Sequence, residues 1–161
     1  NQGYQLECDY TSETAYIVPD NSLCFKTSHI HVIQSFIDSS ISAPHDSLFN
    51  LDKNKDGTIN PYELGEQYWE NGSLISLNMD SNNLSGSIPN EIDSLSSLQL
   101  LILSNNFLSG QVPENICNLN SLNWDHNVSG VKSYIQNNNL CPPYPDCINN
   151  FINPQDTTNC N

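Results

Sequence analysis

The sequence predicts an α/β fold: a short solenoid of about three coils with parallel strands and a cap at each end. Three observations predict it. A 24-residue pattern repeats without a gap in the middle of the 161-residue chain. An amphipathic, helix-like segment precedes the repeats, and three of the six cysteines lie together after them. Units of this length bury one continuous apolar core when they stack, and a short stack needs both of its ends covered.

The two copies of the repeat share their apolar, asparagine, glycine and proline positions. They are Leu74-x-x-Leu77-x-Met79-x-x-Asn82-x-Leu84-Ser85-Gly86-x-Ile88-Pro89 and Leu98-x-x-Leu101-x-Leu103-x-x-Asn106-x-Leu108-Ser109-Gly110-x-Val112-Pro113. The first three apolar positions of each copy alternate as in a strand with one buried face. The pattern resembles the leucine-rich repeat, and its Leu-Ser-Gly-x-Ile-Pro portion resembles the plant-type subclass. The resemblance implies a leucine-rich-repeat solenoid with stacked parallel strands.

The asparagine of each repeat follows the strand, where the chain turns. A buried amide at this point can bond backbone groups of the neighbouring coil that a turn leaves unpaired, so we expect Asn82 and Asn106 to form a ladder. A third, altered copy has Asn138 at the equivalent position, 32 residues after Asn106. It therefore contains an insertion, which we place at residues 123–130. Trp124 in this insertion either covers the core or lies on the surface, and the usual burial of tryptophan favours the first.

The chain outside the repeats is expected to form two caps. The segments are an N-terminal cap at residues 1–70, the repeats at 71–139 and a disulfide-bonded C-terminal cap at 140–161. From Ser28 to Ile41, apolar side chains recur at helical spacing behind a good N-cap residue. We expect this helix to cover the first repeat strand, with His29 and His31 as surface residues.

Six cysteines without a Cys-x-x-Cys pair predict three disulfides and an oxidising compartment. Free thiols in a reducing compartment are the alternative. The predicted pairs are Cys8 with Cys24, Cys117 with Cys147, and Cys141 with Cys160. Cys117 and Cys147 fall at nearly the same offset in adjacent coils, about 4.8 Å apart if the coils are spaced like strands. A Cys141–Cys147 pair, which would resemble the close pair of plant-type caps, remains the alternative.

Residues 52–63 match the twelve-residue EF-hand calcium loop throughout. The predicted Ca²⁺ ligands are Asp52, Asn54, Asp56, Thr58 through its backbone carbonyl, Asn60 and Glu63. Gly57 supplies the sharp turn at the sixth position, and Pro61 fits the start of an exiting helix. No second loop is visible in the sequence, so we expect a structural calcium ion; a plain polar turn is the alternative.

Composition excludes several classes of function. The net charge is −14, with no arginine and four lysines, so the chain lacks the basic surface that nucleic acids require. No apolar stretch approaches the roughly 20 residues of a membrane span. The start at Asn1 without methionine is expected for a mature secreted protein. Three Asn-x-Ser sequons make Asn71, Asn83 and Asn127 candidate glycosylation sites.

A narrower resemblance is carried by the C-terminal segment Leu140-Cys141-Pro142-Pro143-Tyr144-Pro145-Asp146-Cys147. Together with Glu63-Leu64-Gly65 and Trp69-Glu70-Asn71-Gly72, it resembles a group of secreted leucine-rich-repeat proteins of marine bacteria. The resemblance implies a secreted, capped repeat protein and no particular activity.

The sequence contains none of the common catalytic motifs, so we predict a non-enzymatic protein with no catalytic residues. A pair of carboxylates of the glycosidase type is the alternative. Stacking of the repeats aligns Leu100, Ile102 and Tyr134 as an exposed apolar patch on the strand face, which is typical of a contact surface. We therefore predict an extracellular module for protein recognition or adhesion. A self-assembling subunit of an extracellular filament or matrix is the alternative function. Coverage of the patch by the N-terminal cap or the insertion is the alternative reading of the surface.

Overall fold

A computed structural model describes residues 15–17, 24–41, 52–53, 55–152 and 154–160. Within these ranges the chain forms one α-helix and eight strands: β1 (Ala15–Ile17), β2 (Cys24–Lys26), α1 (Thr27–Ile41), β3 (Glu66–Glu70), β4 (Ser73–Asn78), β5 (Ser85–Gly86), β6 (Leu100–Ile102), β7 (Phe107–Gln111) and β8 (Asn139–Cys141). Short 3₁₀ helices occupy Pro61–Glu63, Asn90–Ser94 and Glu114–Asn118. The last two follow the Ile-Pro and Val-Pro dipeptides of the repeats.

The repeats form parallel strand pairs. In the sheet β3-β4-β6, Ser76 lies opposite Leu100 in the parallel pairing of β4 with β6, which is the 24-residue offset of the repeat. A second sheet, β5-β7-β8, is also parallel, and β1 pairs with β2 separately. The parallel strands are confirmed, whereas closure into three complete coils stays a prediction.

The core lies between these sheets, the 3₁₀ helices and α1. The strand leucines and methionine of both repeats are fully buried: Leu74, Leu77, Met79, Leu98, Leu101 and Leu103. Trp124 is also buried and joins the same apolar cluster, in agreement with the first of the two expectations for it. The insertion therefore contributes a side chain to the core and exposes much of its remaining length.

Asparagine side chains connect successive coils. Asn106 is only 4% exposed, and its Nδ2 donates to the Met79 carbonyl of the preceding coil at 2.8 Å. Its Oδ1 accepts from the Leu84 backbone N–H at 2.9 Å. Asn138 does the same one coil later, accepting from the Leu108 N–H at 3.0 Å. The predicted ladder is confirmed at Asn106 and continues at Asn138, and it satisfies backbone groups that the turns would otherwise leave unpaired. The Asn82 side chain donates instead to the Asp80 carbonyl of its own turn at 2.6 Å.

Gln155 extends the ladder by one step that the sequence analysis missed. Its Nε2 donates to the carbonyls of Ile135 at 3.0 Å and Ile152 at 2.7 Å, and residue 155 bridges Asn138. The C-terminal segment thus supplies a longer amide in place of an asparagine next to Asn138.

Helix α1 begins one residue before the predicted start and ends at the predicted residue. It covers the first coil, and near its end the Ser40 hydroxyl donates to the Ser85 carbonyl and accepts from the Ser85 N–H, both at 3.1 Å. These bonds pair the Ser85 N–H and carbonyl on the outer edge of β5, where backbone groups would otherwise lack a strand partner.

The prediction that His29 is a surface residue is wrong. His29 is 1% exposed, and its Nδ1 accepts the Leu74 backbone N–H at 2.9 Å. The reason is helical periodicity: His29 lies four residues before the buried Ile33, so the two share the face that packs on the first repeat. His31, in contrast, is exposed.

Strands β3 and β4 form an antiparallel hairpin that the sequence analysis did not predict. The turn residues Asn71 and Gly72 have φ values of 48° and 74°. Two positive φ angles are what a type I′ hairpin turn requires, and Asn-Gly is its preferred sequence. That dipeptide was the signal available in the sequence. The hairpin crosses the boundary placed at residue 70, so the cap contributes a strand to the sheet of the repeats.

Two disulfides hold the C-terminal segment: one ties it to the second repeat, and the other closes a loop within it. Cys117 pairs with Cys147, with Cα atoms 5.7 Å apart, and Cys141 pairs with Cys160 at 5.5 Å. These are the predicted partners, and the alternative Cys141–Cys147 pair is absent. Cys8 lies outside the residues that the structure describes, so the Cys8–Cys24 pair stays a prediction.

Candidate functional site

The side chains of β3 show which face of its sheet is exposed. Gln67 donates to two backbone carbonyls of the preceding turn, both at 2.7 Å, and the Trp69 ring lies 4.3 Å from the Phe25 ring. These two residues therefore face the cap. Because side chains alternate along a strand, the others project from the opposite face. They are Glu66, Tyr68 and Glu70, and all three are exposed.

Strand pairing brings the predicted surface residues together on this face. Leu100 pairs with Ser76, which in turn pairs with Tyr68, while Ile102 forms a parallel bridge to Tyr134. Leu100, Ile102 and Tyr134 are each partly exposed. Tyr68 is not among the predicted residues, because its segment falls within the predicted N-terminal cap and not within a predicted strand of the repeats.

The face contains two depressions. One is an open groove of about 680 Å³ lined by Tyr68, Ile75, Ser76, Gln99, Leu100, Ser121 and Val131, which we call the sheet-face groove. The other is a cleft of about 360 Å³ lined in part by Tyr134 and His126, whose rings are 4.6 Å apart. Leu100 and Tyr134 therefore belong to neighbouring depressions, with Ile102 between them in the strand pairing.

The sheet-face groove is open to solvent. Tyr68 is 58% exposed, and Val131, which directly follows the insertion, is 64% exposed. Val131 forms part of the wall of the groove. Among the described residues, these exposures favour an accessible surface over one that the insertion or helix α1 covers.

Carboxylates flank the groove. Glu66 and Glu70 stand on either side of Tyr68 along β3, and both are exposed. Asp80 continues the same face beyond β4. The Ser104 hydroxyl donates to its Oδ1 at 2.5 Å and Asn105 Nδ2 does so at 2.7 Å. These bonds hold the pKa of Asp80 below its ordinary value, Ser104 being the main cause. The carboxylate is therefore ionised at neutral pH.

The predicted calcium loop is organised by its own hydrogen bonds. The Asp52 carboxylate accepts from the backbone N–H groups of Asp56 at 3.2 Å and Gly57 at 2.9 Å. Asp56 Oδ1 accepts from the Thr58 N–H at 2.8 Å and from its hydroxyl at 2.6 Å. Gly57 has a φ of 89°, as the sharp turn at this position requires.

The prediction of an exiting helix after the loop is wrong, because a single 3₁₀ turn follows the loop instead. Glu63 is buried and accepts from the Asn60 N–H at 2.9 Å, but the helix is only the 3₁₀ turn Pro61–Glu63. Gly65, with a φ of 65°, then turns the chain into β3. A Cβ at this position would lie 2.2 Å from the Asn78 carbonyl oxygen, so glycine is required and the helix cannot continue.

The donor atoms of this loop suit a hard cation, since they are carboxylate, amide and carbonyl oxygens. In the part of the chain that the structure describes, no three or more His, Cys, Asp or Glu side chains are gathered as a metal site. Asn54 lies outside that part. The calcium ligand set therefore stays a prediction that depends on amide and backbone oxygens as well as on carboxylates.

The three candidate glycosylation sites differ in access. Asn71 is exposed in the β3–β4 turn, and Asn127 is exposed in the insertion. Asn83 is half-buried. Glycosylation stays a prediction, and solvent access favours Asn71 and Asn127 over Asn83.

Among the described residues, no helix has the length and apolar character needed to cross a membrane.

Comparison with known proteins identifies the two repeats. A comparison with curated proteins gave no match. Residues 73–95 and 97–119 each match the family model described as Leucine Rich Repeat. These segments contain the strands β4 to β7 and the asparagine ladder residue Asn106, so the middle of this chain carries two leucine-rich repeats.

Proposed function

We propose that the protein is a non-enzymatic extracellular recognition module that binds another protein through the sheet face. The observation that carries the proposal is the group of exposed and partly exposed apolar and aromatic side chains on this face. They are Tyr68, Leu100, Ile102 and Tyr134. Apolar surface grouped in this way is typical of contact sites, and repeat proteins commonly bind through their strand face.

The rigidity of the strands supports this proposal. The Gln99 N–H donates to the Ile75 carbonyl and the Met79 N–H to the Ile102 carbonyl, both at 2.8 Å. The backbone below the face is thus held on both sides of the groove. A surface ordered before binding loses less entropy when a partner docks, so more of the contact energy appears as affinity.

The two disulfides support an oxidising, extracellular location. Self-assembly through the sheet face has less support than recognition of another protein. Each copy has a net charge of −14, so two copies brought face to face would repel each other.

Variants of the sheet face provide the test. We expect Tyr68→Ala and Ile102→Asp each to weaken binding at least about tenfold, because aromatic and buried apolar anchors carry most of the energy of an interface. The probes are peptides selected on the parent protein from a random dodecapeptide display library. Dissociation constants for parent and variants are measured by fluorescence anisotropy.

Phe107→Ala is the matched control, since Phe107 is an exposed aromatic residue on β7 of the other sheet. It should bind the selected peptides like the parent. The proposal is wrong if the parent selects no peptides, or if the selected peptides bind both face variants with parental affinity. Formation of oligomers by the parent in sedimentation velocity, lost in Ile102→Asp, would favour self-assembly instead.

We further propose that Ca²⁺ bound by residues 52–63 stabilises the cap. Asp52, Asp56 and Glu63 would supply carboxylate oxygens, and the hydrogen bonds within the loop hold their side chains before an ion binds. The ion would neutralise the charge of these carboxylates. Its role would be structural, because the loop lies next to β3 and the turn at Gly65 joins them.

Calcium at about 1 mM should raise the melting midpoint by roughly 3–6 °C. This follows from a dissociation constant of about 10⁻⁴ M, which adds roughly 1.4 kcal/mol to the folded state. Differential scanning calorimetry with calcium and with chelator measures the shift. Glu63→Gln should abolish it while retaining an acceptor for the Asn60 N–H. Equal midpoints in calcium and chelator would remove this part of the proposal.

A further inference from the structure

We infer that the sheet-face groove binds an extended, basic segment of a partner protein, with one apolar side chain in the groove and a lysine or arginine on each side. This inference rests on the proposed function and adds the chemistry of the partner. It follows from three observations: the spacing of side chains on β3, the charge around the groove and the charge of the whole chain.

The spacing on β3 is that of an extended peptide. Glu66, Tyr68 and Glu70 project from one face at every second residue, and all three are exposed. A peptide running along this strand repeats its own side chains at the same interval of about 6.6 Å. A basic–x–apolar–x–basic segment therefore places its apolar side chain against Tyr68 and the groove, and its cations against the two glutamates.

The negative charge beside the groove extends past β3. Glu66 accepts from Asn78 Nδ2 at 3.3 Å, which orients its carboxylate next to β4. Asp80 follows on the same face, held by Ser104. Lys132 lies on the other side of the groove, next to Val131, and its Nζ donates to the Val128 carbonyl. The face thus presents the hydrogen-bonded carboxylates of Glu66 on β3 and Asp80 after β4. On its far side it has a lysine whose ammonium group is bonded to a backbone carbonyl.

The charge of the whole chain favours the same partner. With 18 acidic residues against four lysines, the protein attracts cationic segments from a distance and repels acidic ones. Each exposed charge pair contributes little affinity and is screened by salt, so apolar contacts must anchor the segment. The carboxylates then act mainly on selectivity and on the association rate.

The experiment uses the peptides selected on the parent that no longer bind Tyr68→Ala, which defines them as face-dependent because Tyr68 lines the groove. These should be enriched in lysine or arginine two positions before and after an apolar residue. The double variant Glu66→Gln/Glu70→Gln should weaken them about fivefold at low salt, with a smaller effect at 0.5 M salt.

The matched control is Glu91→Gln/Glu114→Gln. It removes the same two charges from exposed positions on the 3₁₀ helices Asn90–Ser94 and Glu114–Asn118. It should change affinity less than about twofold. Face-dependent peptides that are neutral or acidic would overturn this inference and leave the proposed function intact. Equal losses in both double variants would also overturn it, because net charge alone would then explain the binding. If no peptide depends on Tyr68, the inference fails, and if none depends on Ile102 either, the proposed function fails with it.

Discussion

Replacing Asn106 by leucine is expected to lower the free energy of unfolding by about 3–5 kcal/mol. Asn106 Oδ1 accepts from the N–H groups of Asn82 and Leu84, and its Nδ2 donates to the Met79 carbonyl. Leucine has a similar volume, so it keeps water out while leaving these groups unpaired. Each buried, unpaired backbone group costs about 1–3 kcal/mol. The expected loss is a large part of the 5–15 kcal/mol that typically stabilises a domain.

Urea unfolding followed by circular dichroism measures this loss. Asn115→Leu is the control, since Asn115 is exposed and its side chain makes one bond, to the Asn90 carbonyl at 2.9 Å. It should change stability by less than about 0.5 kcal/mol. Similar losses in the two variants would show that the ladder contributes no more than a surface amide does.

Removing the Cys117–Cys147 disulfide should have the second largest effect. In the chain-entropy model, a closed loop of 30 residues stabilises the folded state by about 3–4 kcal/mol. The bond also joins the 3₁₀ helix Glu114–Asn118 to the C-terminal segment, near the buried Trp124. Its loss is therefore expected to loosen the part of the core around Trp124.

The double variant Cys117→Ser/Cys147→Ser tests this by urea unfolding, with amide hydrogen exchange to locate the loosened residues. Exchange should increase around Trp124 and stay unchanged in α1, which lies at the other end of the stack. Cys141→Ser/Cys160→Ser, which opens a loop of 19 residues, is the comparison variant. Peptide mapping of the unreduced parent is the further check, since a Cys141–Cys147 peptide would contradict the pairing.

Much of the fold follows from local patterns in the sequence. The 24-residue offset predicts that Ser76 lies opposite Leu100, and the structure has that pairing. The asparagine that follows each strand predicts the ladder, because a buried amide can pair the backbone groups that the turn leaves without partners. The helical spacing of apolar residues predicts α1 almost to the residue. In each case the same physical need recurs along the chain, either to pair backbone groups at a turn or to fill the apolar core. The same type of residue meets it each time, so the spacing of that residue reveals the structure.

The candidate site was predictable only in part. Leu100, Ile102 and Tyr134 could be placed on one face from the repeat alone. Tyr68 could not, because it reaches that face through an antiparallel strand outside the repeat. The exposed glutamates beside it were missed for the same reason. The Asn-Gly dipeptide at residues 71–72 was a local signal for that hairpin, but it does not state which strand the hairpin joins.

The sequence by itself determined the repeat, its parallel strands and the asparagine ladder, because each depends on spacing along one chain. It left two partners open for Cys141, and the structure pairs Cys141 with Cys160. The tertiary structure decided which surface is presented. It buried His29 against Leu74, ended the helix after Glu63 at Gly65, and added β3 with Tyr68 to the sheet. These outcomes depend on contacts between segments far apart in sequence, and no local pattern encodes the distance between two such segments.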